Sequence, residues 1–113
     1  MSDPIMRKLN EMQARCDAAT DGPWEAEGSQ VWRINSLVTA VRDHSASERR
    51  PDAEFIAASR TDMPRLIAAL RAVLELHQPV PYAQGPDYCD ECEHPAPCPT
   101  VKAIAEALGV DDA

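Results

Sequence analysis

Ile5, Leu9, Met12, Cys16 and Ala19 recur at alternating steps of four and three, which draws one apolar stripe along a helix of about 15 residues. Asp3 is placed to cap that helix, and Pro4 stands at its first position, where a missing N–H is no loss. The stripe carries Cys16 into the core as inert packing. A seam of this spacing also suits a homodimer, although it is short for a coiled coil. Asp21-Gly22-Pro23 then breaks the helix and starts something extended. Apolar-bearing runs at 24–27, 31–34 and 37–41 are separated by Gly28-Ser29 and Asn35-Ser36, and both separators suit hairpin turns. The pattern predicts a small antiparallel meander, with two strands expected before three because the adjacent Val31 and Trp32 spoil the alternation.

Residues 42–50 are polar and read as a loop that contains a solvated His44. Pro51-Asp52 opens a second helix bearing Phe55 and Ile56, and Thr61 or Asp62 caps a third with Pro64 in its first turn. In the third, Leu66, Ile67, Leu70, Val73, Leu74 and His77 follow the i, i+3, i+4 rule. His77 falls in the last turn, where the helix dipole favours an imidazolium, and it reads as a capping cation before a metal ligand. From 79 to 99, six of 21 residues are proline, so this stretch reads as a linker or a wrapped extended arm. A short helix follows it, with Cys98 or Thr100 as cap, Val101, Ile104, Ala105 and Leu108 on one face, and Gly109 as the left-handed stop. The expected fold is therefore α+β and mostly helical: three to four helices packed with a small antiparallel hairpin or meander. Residues 1–78 form the core, and residues 79–113 form a proline-rich acidic arm packed on it within the same domain.

Composition refines this picture. Apolar residues make up 44% of the 113, but aromatics only 4%, so one core of small aliphatic side chains is expected, with Trp24, Trp32 and Phe55 as its large anchors. The net charge of -8 is concentrated at one end. Residues 1–79 carry ten basic and twelve acidic side chains, whereas residues 80–113 carry one lysine and seven acids. Such a tail repels phosphate, which argues against nucleic-acid binding. It suits a solvated surface, a docking face for a basic protein partner, or a mimic of the nucleic-acid backbone. No apolar run approaches a membrane span and no signal peptide is visible, so a cytoplasmic protein is expected.

The candidate chemistry lies in Cys89-Asp-Glu-Cys92-Glu-His94-Pro-Ala-Pro-Cys98. Closely spaced cysteines in a reducing compartment point to metal ligands before disulfides. Cys89, Cys92, His94 and Cys98 supply the three sulfurs and one nitrogen of a closed tetrahedral site for structural Zn2+. A redox dithiol is disfavoured because Asp90, Glu91 and Glu93 oppose thiolate formation, and an iron–sulfur cluster ordinarily takes four thiolates. A metal-free arm with incidental cysteines is the remaining alternative. Cys92 and His94 flank a single residue, so both reach one ion only if the backbone there is extended. If His94 does not reach, His77, Cys16 or a water takes the fourth place. No paired nucleophile and base, phosphate-cradling loop or carboxylate pair points to an enzyme.

The run Arg-Cys-Asp-Ala-Ala-Thr-Asp-Gly-Pro-Trp at 15–24 is followed by Asp-Ala-Glu-Phe-Ile-Ala-Ala-Ser-Arg-Thr-Asp at 52–62. The helix at 66–76, the Cys89 and Cys92 pair and Pro-Cys-Pro-Thr-Val at 97–101 come after it. In this order the motifs resemble small accessory proteins of actinobacterial phages and prophages, and the middle part is more weakly similar to early-region proteins of lambda-like phages. The resemblance implies a small accessory protein made inside a bacterial host, whose task is binding a host or phage protein. It brings no catalytic residues with it. The function expected is thus a non-enzymatic protein-binding module with a structural zinc site, the alternative being a nucleic-acid-associated zinc knuckle or an acidic nucleic-acid mimic.

Overall fold

The computed structural model describes residues 3–42 and 45–110. The elements run α1 (Asp3–Ala18), β1 (Glu25–Glu27), β2 (Gln30–Arg33), β3 (Ser36–Ala40), α2 (Ala46–Leu76), β4 (Pro79–Tyr82), β5 (Gly85–Cys89) and α3 (Pro99–Leu108). The fold is α+β and mostly helical, as its periodicities predict. His44 and the Asp3 side chain, read as solvated and as a helix cap, lie outside the described residues. Among the described residues, no helix is long and apolar enough to cross a membrane. The chain divides into two compact units, one of residues 15–66 and one of residues 1–14 with 67–113.

In the unit of residues 15–66, β1, β2 and β3 form an antiparallel meander, with Ala26 opposite Val31 and Val31 opposite Thr39. All three strands form. The register shifts between Val31 and Trp32, so Val38 is skipped in the pairing, and this bulge absorbs the two adjacent apolar residues that break the alternation. Val31, Ala53 and Ala57 are fully or nearly buried and form the core cluster, with Trp24, Ala26, Val38, Val41 and Ile56 packed against it. Arg60 ties the turn before β1 in place: its Nε donates to the Thr20 carbonyl at 2.9 Å, and its guanidinium lies 6.0 Å from the Trp24 ring centroid. Phe55, expected as a core anchor, is instead 76% exposed. Ala53 and Ala57 take the buried face of its helix, and position 55 points away from it.

Two expected helices are one. α2 runs unbroken for 31 residues with Pro51 and Pro64 inside it. It starts at Ala46, within the stretch read as a loop, and the residues of its first turn are tied together. The Ser45 carbonyl accepts from the N–H groups of Glu48 (2.9 Å) and Arg49 (3.1 Å), and the Ser45 hydroxyl donates to Glu48 Oε1 at 2.7 Å. Each internal proline removes one helical N–H, a loss this long helix sustains.

In the other unit, the buried apolar residues are Ile5 and Leu9 of α1, Ile67 and Leu74 of α2, Val101 and Ala105 of α3, and Cys89 and Cys98. Arg71 Nη2 donates to Asn10 Oδ1 at 2.8 Å, linking α2 to α1 within it. Cys16 is half-buried, so the stripe of α1 does not carry it into a core. The proline-rich arm is not a linker. β4 and β5 pair as an antiparallel hairpin closed by Ala83-Gln84, with Pro79 opposite Cys89, Val80 opposite Tyr88 and Tyr82 opposite Gly85. Proline is tolerated because a two-stranded sheet consists of edge strands, each needing only half of its backbone groups for the ladder. α3 begins after Cys98, its N-cap residue, and ends at Gly109 with φ 71. There Val110 N–H donates to the Ala105 carbonyl and Gly109 N–H to that of Glu106, the paired bonds of a Schellman motif.

Candidate metal centre

Four elements of local structure bring the site together. α2 ends at Leu76, and His77 N–H still donates to the Val73 carbonyl at 3.1 Å, which fixes the imidazole one residue past the helix. The hairpin then returns the chain to this point: Pro79 pairs with Cys89, and Asp90 N–H donates to the Gln78 carbonyl at 3.0 Å. Cys89 follows from that return. Next comes a tight turn in which Glu93 N–H donates to the Cys89 carbonyl (2.9 Å) and Cys89 N–H to the His94 carbonyl (2.8 Å). Glu93 takes a left-handed backbone with φ 61, which turns the chain so that the His94 carbonyl meets the Cys89 N–H. Last, Ala96 N–H donates to the Asp87 carbonyl at 2.9 Å, and the chain reaches Cys98 at the head of α3.

The result is a cluster of His77, Cys89, Cys92 and Cys98 whose ligand atoms all lie within 4.8 Å of one another. His77 Nδ1 is 3.3 Å from Cys89 Sγ and 3.6 Å from Cys98 Sγ. Zinc bonds of ordinary length at tetrahedral angles put sulfur and nitrogen ligands about 3.6 Å apart and two sulfurs about 3.8 Å apart. The donor set is therefore compact enough to hold one ion. Cys89 and Cys98 are buried, and His77 and Cys92 are half-buried.

Three of the four residues expected as ligands, Cys89, Cys92 and Cys98, are thus brought together, and His94 is not with them. Its ring lies on the surface with Nδ1 3.1 Å from the Cys92 carbonyl oxygen. Extended backbone at Glu93 would have put Cys92 and His94 on one face, and the left-handed turn there removes that possibility. His94 serves the site through its carbonyl. The fourth member is His77, which the sequence offers first as an end-of-helix cation and second as the alternative to His94. Cys16 is not a member of the cluster.

The electrostatics suit a cation. Burial opposes ionisation of Cys89, but the backbone N–H of Cys92, the Cys92 thiol, the backbone N–H of Glu91 and His77 outweigh it and bring the thiol down to about 6. For Cys92 the His94 backbone N–H acts downward, while burial and the Cys89 and Cys98 sulfurs act upward and prevail. One thiolate raises the cost of the next, and a divalent ion at the centre reverses that repulsion. Cys98, at the N-terminus of α3, also faces the positive end of the helix dipole. No family model, no curated protein and no solved structure gives a significant match to this chain.

Proposed function

We propose that this chain is a non-enzymatic interaction module whose C-terminal segment is held in shape by one structural zinc ion, bound by His77, Cys89, Cys92 and Cys98. The observation that carries the reading is the convergence of three thiols and one imidazole within 4.8 Å. Such a set fills all four tetrahedral positions with protein atoms and leaves none for substrate or an activated water, which is how structural centres differ from catalytic ones. The ion's task is to fasten the β4–β5 hairpin and α3 to the end of α2. A ten-residue helix is too short to persist alone in water, and apparent binding energies of about 10 kcal/mol or more are available from such a centre. What it fastens is an acidic surface suited to a protein partner. The order of motifs in the sequence supports a setting in an actinobacterial phage or prophage, where the partner is a host or phage protein.

The test is metal content together with partner capture. Purified protein is expected to carry one zinc per chain, and Cys89→Ser or Cys98→Ser to lose it. Host lysate passed over the zinc-loaded chain and over the Cys98→Ser variant should yield a partner with the first alone. Absence of stoichiometric metal from protein purified without chelator would remove the basis of the reading.

A further inference from the structure

The outer side of the hairpin carries a cleft that the metal centre does not use. Tyr82, Pro86, Tyr88, Glu93 and Pro95 line it, and its volume is about 460 Å3, within the ordinary range of small-ligand sites. The two tyrosines are set edge to face, with ring centroids 5.7 Å apart and planes at 83°, so their faces meet as a corner. Gly85 makes room for one wall: a Cβ there would lie 3.2 Å from Tyr82 Cδ2, tighter than a side chain ordinarily tolerates. The ring is therefore seated against a glycine backbone before anything binds. Glu93 lines the same cleft and takes a backbone conformation that favours glycine, with φ 61. A non-glycine residue held there is a strained choice of the kind that concentrates at binding sites.

From these features we infer that the cleft binds the cationic head of a lysine side chain on a partner protein. Aromatic faces attract cations through their negative π surface. The carboxylate supplies the matching charge, and Pro86 and Pro95 offer apolar surface to the side chain's methylenes. The surroundings agree: residues 80–113 carry seven acidic side chains against one lysine, and Asp90 and Glu91, next in the chain to β5, are both exposed. An anionic or nucleic-acid ligand would be repelled from this face. The inference rests on the proposed role of the zinc-held segment as an interaction surface and names the chemistry that surface reads.

The experiment is an NMR titration of the zinc-loaded full chain with a short glycine–lysine peptide and with the same peptide acetylated on its lysines. Tyr82 and Tyr88 are the chain's two tyrosines, so their ring signals report on the cleft directly. Both sets should shift and saturate with the lysine peptide, weaken with added salt, and stay in place with the acetylated one. Tyr82→Ala and Glu93→Gln should each weaken binding about threefold or more, and Tyr82→Phe should restore it. Tyr82 is 51% exposed, so its truncation leaves the fold intact, and zinc content with amide dispersion checks this for every variant. Equal binding of the acetylated peptide, or unchanged binding by Tyr82→Ala and Glu93→Gln, would overturn the inference. Loss of zinc and hairpin signals in the unmutated chain would instead strike the proposed function beneath it.

Discussion

Pro79 and Cys89 are cross-strand partners, and that pairing is what sets the Cys89 sulfur 3.3 Å from the His77 ring. Two residues that the chain separates by a whole proline-rich excursion become neighbours because the excursion is a closed hairpin. The fourth corner of the metal centre is thus decided by strand register rather than by proximity in sequence. His77→Ala is expected to lower zinc affinity by more than about a hundredfold, since even partners outside the ligand sphere are worth about ten- to a hundredfold. His94→Ala should retain one zinc per chain with affinity close to the parent. Competition with a chromophoric chelator reads both values.

Removal of the ion should act on one compact unit and spare the other. In excess chelator at neutral pH, amides of β4, β5 and α3 are expected to lose their protection from hydrogen exchange. Those of β1 to β3, whose core of Val31, Ala53 and Ala57 includes no ligand, should keep it. Exchange measured by mass spectrometry before and after zinc is restored checks both halves of this expectation.

Glu93→Gly should separate stability from recognition. Relief of the left-handed backbone at φ 61 is expected to stabilise the zinc-bound chain by about 1 kcal/mol. The same change removes the carboxylate from the tyrosine cleft, so lysine-peptide binding should fall as stability rises. A thermal melt and a titration on one protein sample measure the two effects.

The meander offers a parallel case without a functional cost. Ile34 is 81% exposed and takes φ 53 in the turn between β2 and β3, a conformation that β-branched residues rarely adopt. Ile34→Gly is expected to stabilise by about 1 kcal/mol. Ala57→Leu, on the buried face of α2, should destabilise by about 1–3 kcal/mol through overpacking. Urea unfolding followed by the fluorescence of Trp24 and Trp32, both in that unit, reports each change.

How far the sequence foretells the structure varies with the kind of signal. The stripe through Ile67 and Leu74, the turn at Gly28-Ser29 and the Gly109 stop are local features, and local rules read them; the second turn, read at Asn35-Ser36, falls one residue earlier, at Ile34-Asn35. Ser45 and Glu48 spell a capping box in plain view, yet the many polar residues around them suggest a loop. Pro51 and Pro64 suggest helix boundaries, although a long helix can absorb a missing N–H at each. For residues 79–89, proline content masks a weak strand pattern in Val80, Tyr82 and Tyr88, of which Val80 and Tyr88 are cross-strand partners. With the hairpin hidden, nothing local ranks His77 above the nearer His94, and it stands only as an alternative for the fourth place. The deciding fact there, a left-handed Glu93, belongs to a residue type that gives no warning of it.

The prolines of that hairpin have one more effect. Strand margins invite other chains to dock by backbone bonding and to stack into fibres, and the outer margin of β5 is already taken: Cys89 N–H donates to the His94 carbonyl, Ala96 N–H donates to that of Asp87, and Tyr88 bridges Pro95. Along β4, Pro79 and Pro81 have no N–H to offer such an intruder. The ribbon is left closed to strand addition, so whatever it greets must be met by its side chains.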